Sequence, residues 1–314
     1  MKPLAFLFLL LTTAGNLSAD WPHRLFAPYV WLGSNDGFQL TQCEEATAQK
    51  HYTLAFIIAD KDGHAAWFGR VPMDQNLYAD QIETIRKHGG DVIISFGGAA
   101  GPELALANNN AQKLEAEYQT AVDHYNFTWL DFDIEGKALN DDDVNARRNT
   151  AVAGLQKKNP NLRITFTLPV NPNGISRHSQ TLLADAKAKG IKVYSANIMV
   201  MDYGARISNA KKMSDLAIAC ATKTHEQIAP IDPTISIGLC PMIGQNDVKE
   251  EIFSPDDAKS LRDWAAAQPW ICSLSFWSIN RDTGKPGRRE GTTRSGINQQ
   301  PWEFTTIFQQ FAKP

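Results

Sequence analysis

Apolar runs rich in β-branched residues alternate with segments of helical periodicity along most of the chain. The apolar runs predict eight short buried strands, at Leu25–Leu32, Thr53–Ala59, Asp91–Phe96, Phe127–Glu135, Arg163–Leu168, Lys192–Met201, Thr234–Met242 and Cys272–Ile279. Helices are predicted near Gln42–Gln49, Asp74–His88, Pro102–His124, Asp141–Lys158, Gln180–Lys189, Ala210–Gln227, Pro255–Ala267 and Trp302–Ala312. This regular alternation predicts an α/β fold, a single (β/α)8 TIM barrel, rather than a doubly wound sheet, because no G-x-G-x-x-G follows the first strand.

The first 19 residues have the pattern of a secretory signal peptide. Lys2 precedes the apolar run from Leu4 to Leu11, and small residues lead to a cleavage site after Ala19. The apolar run is too short for a bilayer span. We therefore expect residues 20–314 to form one barrel domain that is exported, to the extracellular space or the periplasm, and that makes no membrane contact after cleavage.

Composition narrows the classes of partner and cofactor. The 314 residues carry a net charge of −3 with acidic and basic side chains interspersed, so no basic stripe suggests a nucleic-acid partner. No C-x-x-C, H-x-x-H or H-E-x-x-H spacing occurs, and we expect no metal or other cofactor and a monomeric protein. The four cysteines allow either two disulfides or buried free thiols: Cys43, Cys220, Cys240 and Cys272.

The segment Phe127–Gly136 carries three acids at alternate positions of one predicted strand. Side chains two apart share a strand face, so Asp131, Asp133 and Glu135 form a row while the intervening residues face the core. Neighbouring buried carboxyl groups titrate at separated pH values. A protonated general acid beside a fixed negative charge is therefore expected, with Glu135 at the carboxyl end of the strand, where barrel active sites lie.

The Asp131-x-Asp133-x-Glu135 run resembles the acidic signature of the family 18 glycoside hydrolases, the chitinases. Thr128 and Trp129 stand where the fuller signature has Asp-Gly. The resemblance implies that Glu135 protonates the glycosidic oxygen, that the substrate's own 2-acetamido oxygen attacks the anomeric carbon, and that Asp131 tunes Asp133, which orients the acetamido group.

The resemblance extends to other strand ends. Ser95-Phe96-Gly97-Gly98 matches the family's Ser-x-Gly-Gly motif, and Met201-Asp202-Tyr203 its Met-Asp-Tyr-type segment, which implies that Tyr203 holds the acetamido oxygen. Trp277 would be the floor on which a sugar ring stacks. The remaining substrate-binding residues expected here are Tyr29, Ser95, Gly97, Gly98, Met201, Asp202 and Met242. We also expect Arg281 and Asp282 to form an ion pair at the rim.

These expectations converge on an exported, retaining chitinase that cleaves β-1,4-linked N-acetylglucosamine chains. Two alternatives remain at this stage. One is an endo-β-N-acetylglucosaminidase or a peptidoglycan-directed relative. The other is a non-catalytic chitin-binding lectin, against which the acid at Glu135 argues. The choice between endo and exo action and the product length are left open.

Overall fold

The computed structural model of the protein describes residues 21–34, 36–209, 211–285 and 293–313. The expected signal peptide, residues 1–19, lies outside these ranges. Within them, no helix is both long enough and apolar enough to cross a bilayer.

Eight mutually parallel strands form a closed barrel, as predicted. The first strand, β1, has two segments, Leu25–Phe26 and Tyr29–Trp31. The others are β2 His51–Ala59, β3 Asp91–Gly97, β4 Trp129–Asp133, β5 Arg163–Asn171, β6 Val193–Met199, β7 Ser236–Cys240 and β8 Ile271–Leu274.

Closure depends on the division of β1 at Pro28. The first segment pairs with β8, with Leu25 opposite Ser273, and the second pairs with β2, with Tyr29 opposite Thr53. Pro28 has no N–H to donate, and its carbonyl accepts the backbone N–H of Thr53. One strand thus serves both neighbours in turn.

The main helices cover the outside of the barrel. They are α1 Leu40–Thr47, α2 Ala79–Lys87, α3 Ala111–Tyr125, α4 Asp142–Lys158, α5 Arg177–Ala188, α6 Met213–Ile228, α7 Pro255–Ala266 and α8 Glu303–Phe308. The prediction of one helix over Pro102–His124 was wrong, because Leu104–Ala107 forms a separate turn. Asn110 then starts α3 by accepting the backbone N–H of Lys113.

The predicted extents of two other elements also need correction. The segment Asp74–His88 is divided, because Asn76 and Tyr78 both adopt left-handed conformations before α2 begins. The eighth strand ends at Leu274 rather than Ile279. Beyond Leu274, Trp277 forms an isolated bridge to Met242.

Short β-strands lie at the ends of several barrel strands. Ala65–Trp67 pairs antiparallel with β2, and Val71–Pro72 pairs antiparallel with Ala65–Trp67. Gly174–Ile175 pairs antiparallel with the end of β5. Gly244–Gln245 and Ile252–Phe253 form a separate two-stranded ribbon after β7.

The strands carry apolar side chains outward and mostly polar side chains inward. On β4, Phe132 packs outward between Phe96, at 5.4 Å between ring centroids, and Tyr118 of α3, at 5.1 Å. Asp131, on the opposite face, is buried inside the barrel. The period-two pattern in the sequence therefore predicts correctly which β4 residues meet the helices.

Aromatic side chains close the amino-terminal end of the barrel. The indole Nε1 of Trp129 donates to Thr165, and its ring lies 5.0 Å from that of Trp21. The guanidinium of Arg163 lies 5.0 Å from the Trp129 ring centroid. Trp21 also donates to the hydroxyl of Thr128. The two residues that depart from the family signature are thus part of this closure.

All four cysteines are buried free thiols, which decides between the two states that the sequence left open. They lie on α1, α6, β7 and β8, and burial raises the pKa of each thiol above its ordinary value.

Candidate active site

An open cavity of about 540 Å³ lies at the carboxyl ends of the strands. This volume is in the range of small-molecule sites. Its walls consist of Tyr29, Trp31, Phe56, Ala99, Ala100, Asp133, Glu135, Thr167, Pro169, Val170, Met199, Met201, Asp202, Cys240, Met242, Asp247 and Trp277. The position agrees with the barrel rule that function resides at this face.

Asp131 lies below the cavity in a cage of hydroxyl groups. Its Oδ2 accepts hydrogen bonds from the Tyr29 hydroxyl at 2.8 Å and the Ser95 hydroxyl at 2.6 Å, and its Oδ1 accepts one from Thr167 at 2.6 Å. Burial raises the pKa of Asp131 to about 6, while these three bonds lower it. The donors come from β1, β3 and β5, so the cage exists only in the closed barrel.

Asp133 occupies the next level up and is 5% exposed. Its Oδ1 accepts no hydrogen bond from the described residues. Burial, followed by the charges of Glu135 and Asp131, raises the pKa of Asp133 well above its ordinary value. Burial and these neighbouring charges therefore favour the protonated form of Asp133.

Glu135 lies at the cavity wall, two residues past the end of β4. Burial raises the pKa of Glu135, and the charge of Asp202 raises it further. A carboxyl group whose pKa is raised in this way keeps its proton to higher pH, as a general acid requires. The row of acids expected from the sequence is thus present, with the reactive candidate uppermost.

The Ser-x-Gly-Gly motif lies beneath the cavity rather than in its wall. The hydroxyl of Ser95 is bound to Asp131. A Cβ on Gly97 would lie 2.2 Å from the carbonyl oxygen of Asp133, and one on Gly98 would lie 2.6 Å from the ring of Phe56. These residues were expected to bind substrate, but the structure places them as supports that allow close packing under the acids.

Tyr203 requires a larger correction, because its side chain does not line the cavity. Strand alternation turns Met201 inward, and the left-handed backbone of Asp202, with a φ of 50°, then breaks the alternation. Asp202 remains in the cavity wall while the ring of Tyr203 enters the core against Cys220 of α6. Burial raises the pKa of Tyr203 well above its ordinary value. Tyr203 cannot hold a substrate from this position.

An aromatic wall forms one side of the cavity. The rings of Trp277 and Phe56 are stacked, with centroids 5.5 Å apart and an interplanar angle of 13°. Trp31 and Tyr29 each lie 6.1 Å from Trp277. Met242, opposite Trp277 in the bridge, also lines the cavity, as expected. Tyr29 points inward as predicted, although its hydroxyl donates a hydrogen bond to Asp131.

The prediction that Arg281 and Asp282 form an ion pair at the rim is wrong. Both residues are buried. The carboxylate of Asp282 binds the backbone and hydroxyl of Thr305 at the start of α8, and Arg281 donates to the carbonyl of Gln245. Burial raises the pKa of Asp282 to about 7.

Sequence reasoning missed several wall residues. Trp31 follows Tyr29 by two positions on one strand, and Met199 precedes Met201 by two, so period-two alternation could have found both. For Phe56 and Thr167 the only signal in the sequence was their place on a predicted strand. Asp247 lies in a loop, where no periodicity applies. The described ranges contain no cluster of three or more side chains suited to a metal ion.

The fold and the stacked acids define a barrel of the glycoside hydrolase class, and known proteins agree. A crystallised active domain of a thermostable chitinase from Pyrococcus furiosus is 33% identical, with a TM-score of 0.83, over 93% of this chain and 95% of that one. The chain belongs to the family 18 glycoside hydrolases, the chitinases. No protein-family model matches it.

Two curated relatives are longer than this chain. A probable bifunctional chitinase/lysozyme of Escherichia coli strain K12 is 33% identical over 95% of this chain and 36% of its own length. Endochitinase 11 of Metarhizium anisopliae is 33% identical over 85% of this chain and 54% of its own length. The chain therefore spans between about a third and about half of these relatives.

Replacing Asp202 by Asn should shift the pH dependence of hydrolysis. The charge of Asp202 raises the pKa of Glu135, so removing it lowers that pKa and deprotonates the acid at lower pH. We expect the basic limb of the kcat/KM profile to move to lower pH. Asn can still accept the N–H of Val248, as Asp202 does. Asp256→Asn at the exposed start of α7 is the matched control, and an unmoved basic limb in Asp202→Asn would contradict the coupling.

Proposed function

We propose that the protein is a chitinase that hydrolyses β-1,4-linked N-acetylglucosamine chains with retention of anomeric configuration. One observation carries the proposal: a row of three acids places Glu135 in a cavity wall that also contains Trp277. The Pyrococcus furiosus domain was crystallised with chito-oligosaccharides, and both curated relatives are named as chitinases. These names support the substrate class.

In the first step Glu135 donates its proton to the glycosidic oxygen as the bond from that oxygen to the anomeric carbon breaks. The acetamido oxygen of the same sugar forms the new bond to that carbon. The resulting oxazolinium ion carries positive charge, which the acids beneath the cavity stabilise. Positive charge in the cavity favours the ionised form of Asp133.

Asp133 is the group best placed to orient the acetamido substituent. Its Oδ1 lacks a partner among the described residues and can accept the acetamido N–H. Asp131, held below by the hydroxyl cage, acts on Asp133 through its charge, which raises the pKa of Asp133. Asp202 lines the same cavity, whereas Tyr203 does not. In the second step the Glu135 carboxylate takes a proton from a water molecule as that water attacks the anomeric carbon. The bond from the acetamido oxygen to the anomeric carbon breaks, which opens the oxazolinium ring.

Glu135→Gln should abolish most of the activity without preventing binding, because the amide preserves size and polarity but cannot deliver a proton. The expected loss of kcat is at least about 10²–10⁴-fold on chito-oligosaccharides. Calorimetric binding to the same oligomers should persist. Glu83→Gln on the surface of α2 is the matched control. Turnover near the parent rate in folded Glu135→Gln would remove Glu135 from this role.

The substrate panel also separates the rival activities. Cleavage of peptidoglycan or of a glycoprotein N-glycan in preference to chitin oligomers would favour the alternatives named above. Binding of chitin oligomers without any hydrolysis by the parent protein would favour the lectin.

Substrate assistance makes the N-acetyl group of the sugar on the non-reducing side of the cut indispensable. Fully deacetylated chitosan and cellulose oligomers should therefore resist cleavage, and a thiazoline analogue of the intermediate should inhibit. Proton NMR should detect the β-anomer first. Rapid cleavage of deacetylated oligomers, or initial release of the α-anomer, would instead favour a direct role for Asp133 in attack.

We further propose that the mature protein begins at Asp20 and acts as a monomer outside the cytoplasm. The charged, apolar and small-residue regions of the first 19 residues support export. Expression in a secreting host, with amino-terminal sequencing and light scattering of the exported protein, tests both statements. Retention in the cytoplasm with an intact amino terminus would contradict export, and a dimeric mass would contradict the monomer.

A further inference from the structure

The side chain of Asn280 binds β1 at the cavity rim, where pairing with β8 has ended. Its Oδ1 accepts the backbone N–H of Trp31 at 2.8 Å, and its Nδ2 donates to the Trp31 carbonyl at 3.2 Å. Asn280 is 1% exposed. One buried carboxamide thus satisfies both backbone groups of a residue in the cavity wall.

Strand geometry explains why Trp31 needs this partner. On β1 the carbonyl of Pro28 accepts the N–H of Thr53, and the N–H of Leu32 donates to the carbonyl of Ala55, both on β2. Alternate residues of a strand face the same neighbour, so the backbone groups of Trp31 point away from β2. The last backbone bond on the β8 side joins the N–H of Tyr29 to the carbonyl of Phe276. The Asn280 amide takes the place of the strand that is missing there.

The indole of Trp31 is also held by its neighbours. A Cβ on Gly33 would lie 2.7 Å from this indole, so glycine leaves room for it. Phe68 and Phe56 contact the ring at centroid distances of 5.9 and 6.1 Å. The indole is half-buried and faces the same cavity as Trp277.

We propose that Trp31 is a second sugar-stacking side chain beside Trp277 and that Asn280 is the positioning residue that fixes it. Aromatic faces bind the apolar faces of sugars, and a polymer offers successive rings to two such side chains. The inference depends on the proposed function, since it assigns a neighbouring sugar of the same chain to Trp31. A rigid platform loses less entropy on binding than a mobile one.

The third hydrogen bond of Asn280 provides a specific test. Its Nδ2 donates to Oδ2 of Asp36 at 3.0 Å, and Oδ1 of Asp36 accepts the N–H of Phe38. A carboxylate at position 280 would keep an acceptor for Trp31 N–H but would face two acceptors, the Trp31 carbonyl and Asp36. Neutralising Asp36 removes one of these repulsions.

The variants are Asn280→Ala, Asn280→Asp, Asn280→Asp with Asp36→Asn, Trp31→Ala, and Trp31→Ala with Asn280→Ala. For hydrolysis of N-acetylchitohexaose we expect Asn280→Ala and Trp31→Ala each to raise KM by about five- to tenfold, with kcat within about twofold of the parent. The effect on 4-nitrophenyl N-acetyl-β-glucosaminide should be smaller, because its single sugar cannot stack on both tryptophans, whose ring centroids lie 6.1 Å apart. The double variant should add little to Trp31→Ala, since Asn280 acts through Trp31.

Asn280→Asp should also raise KM, because the carboxylate faces the Trp31 carbonyl and Asp36. Adding Asp36→Asn should lower that KM again, a rescue that a general loss of stability would not produce. Asn149→Ala is the matched control, because Asn149 is equally buried and binds Leu182 and Asp185 between α4 and α5. It should lower the melting temperature and leave KM unchanged. If Asn280→Ala fails to fold, Trp31→Ala and the Asp36 rescue still decide the question.

An active parent whose KM for the hexamer is unchanged in the Trp31 and Asn280 variants would overturn this inference alone. Equal effects on the single-sugar glucosaminide and the hexamer would also overturn it, since the second sugar contact would then be absent. A parent that neither cleaves nor binds chito-oligosaccharides would overturn the proposed function and this inference together.

Discussion

The candidate site depends on the hydrogen bonds that three hydroxyl groups donate to the buried carboxyl group of Asp131. Tyr29, Ser95 and Thr167 come from three different strands, so only the closed barrel brings them together. Without them, burial alone would act on Asp131 and its pKa would be higher. The charge that Asp131 can carry then helps to raise the pKa of Asp133.

Close packing connects the acids to the aromatic wall. Gly98 donates its N–H to the carbonyl of Asp133 and leaves room for Phe56, whose ring stacks on Trp277. Any side chain at Gly98 would displace that ring or the backbone beside the acids. The surface proposed to bind the sugar and the groups proposed to cleave it are therefore parts of one packed unit, which favours a preorganised site.

The site also shows where a motif and a structure diverge. Met201, Asp202 and Tyr203 are consecutive, yet only the first two line the cavity, because one left-handed residue reverses the expected alternation. A match to a family motif predicts which residue types occupy which positions. The match does not predict where the side chains point when the backbone leaves the strand conformation within the motif.

The sequence by itself determined the eight-stranded barrel, the row of acids on β4 and the place of Trp277, because periodicity and local spacing encode which face of an element is buried. The tertiary structure alone decided which hydroxyl groups meet Asp131, that Phe56 supports Trp277, that Asp247 reaches the cavity and that Asn280 binds Trp31. These contacts join residues far apart in the chain, and Asn280 is separated from Trp31 by 249 positions. Periodicity assigns a residue to a face of its own element, but its partner depends on how all the elements close around the barrel.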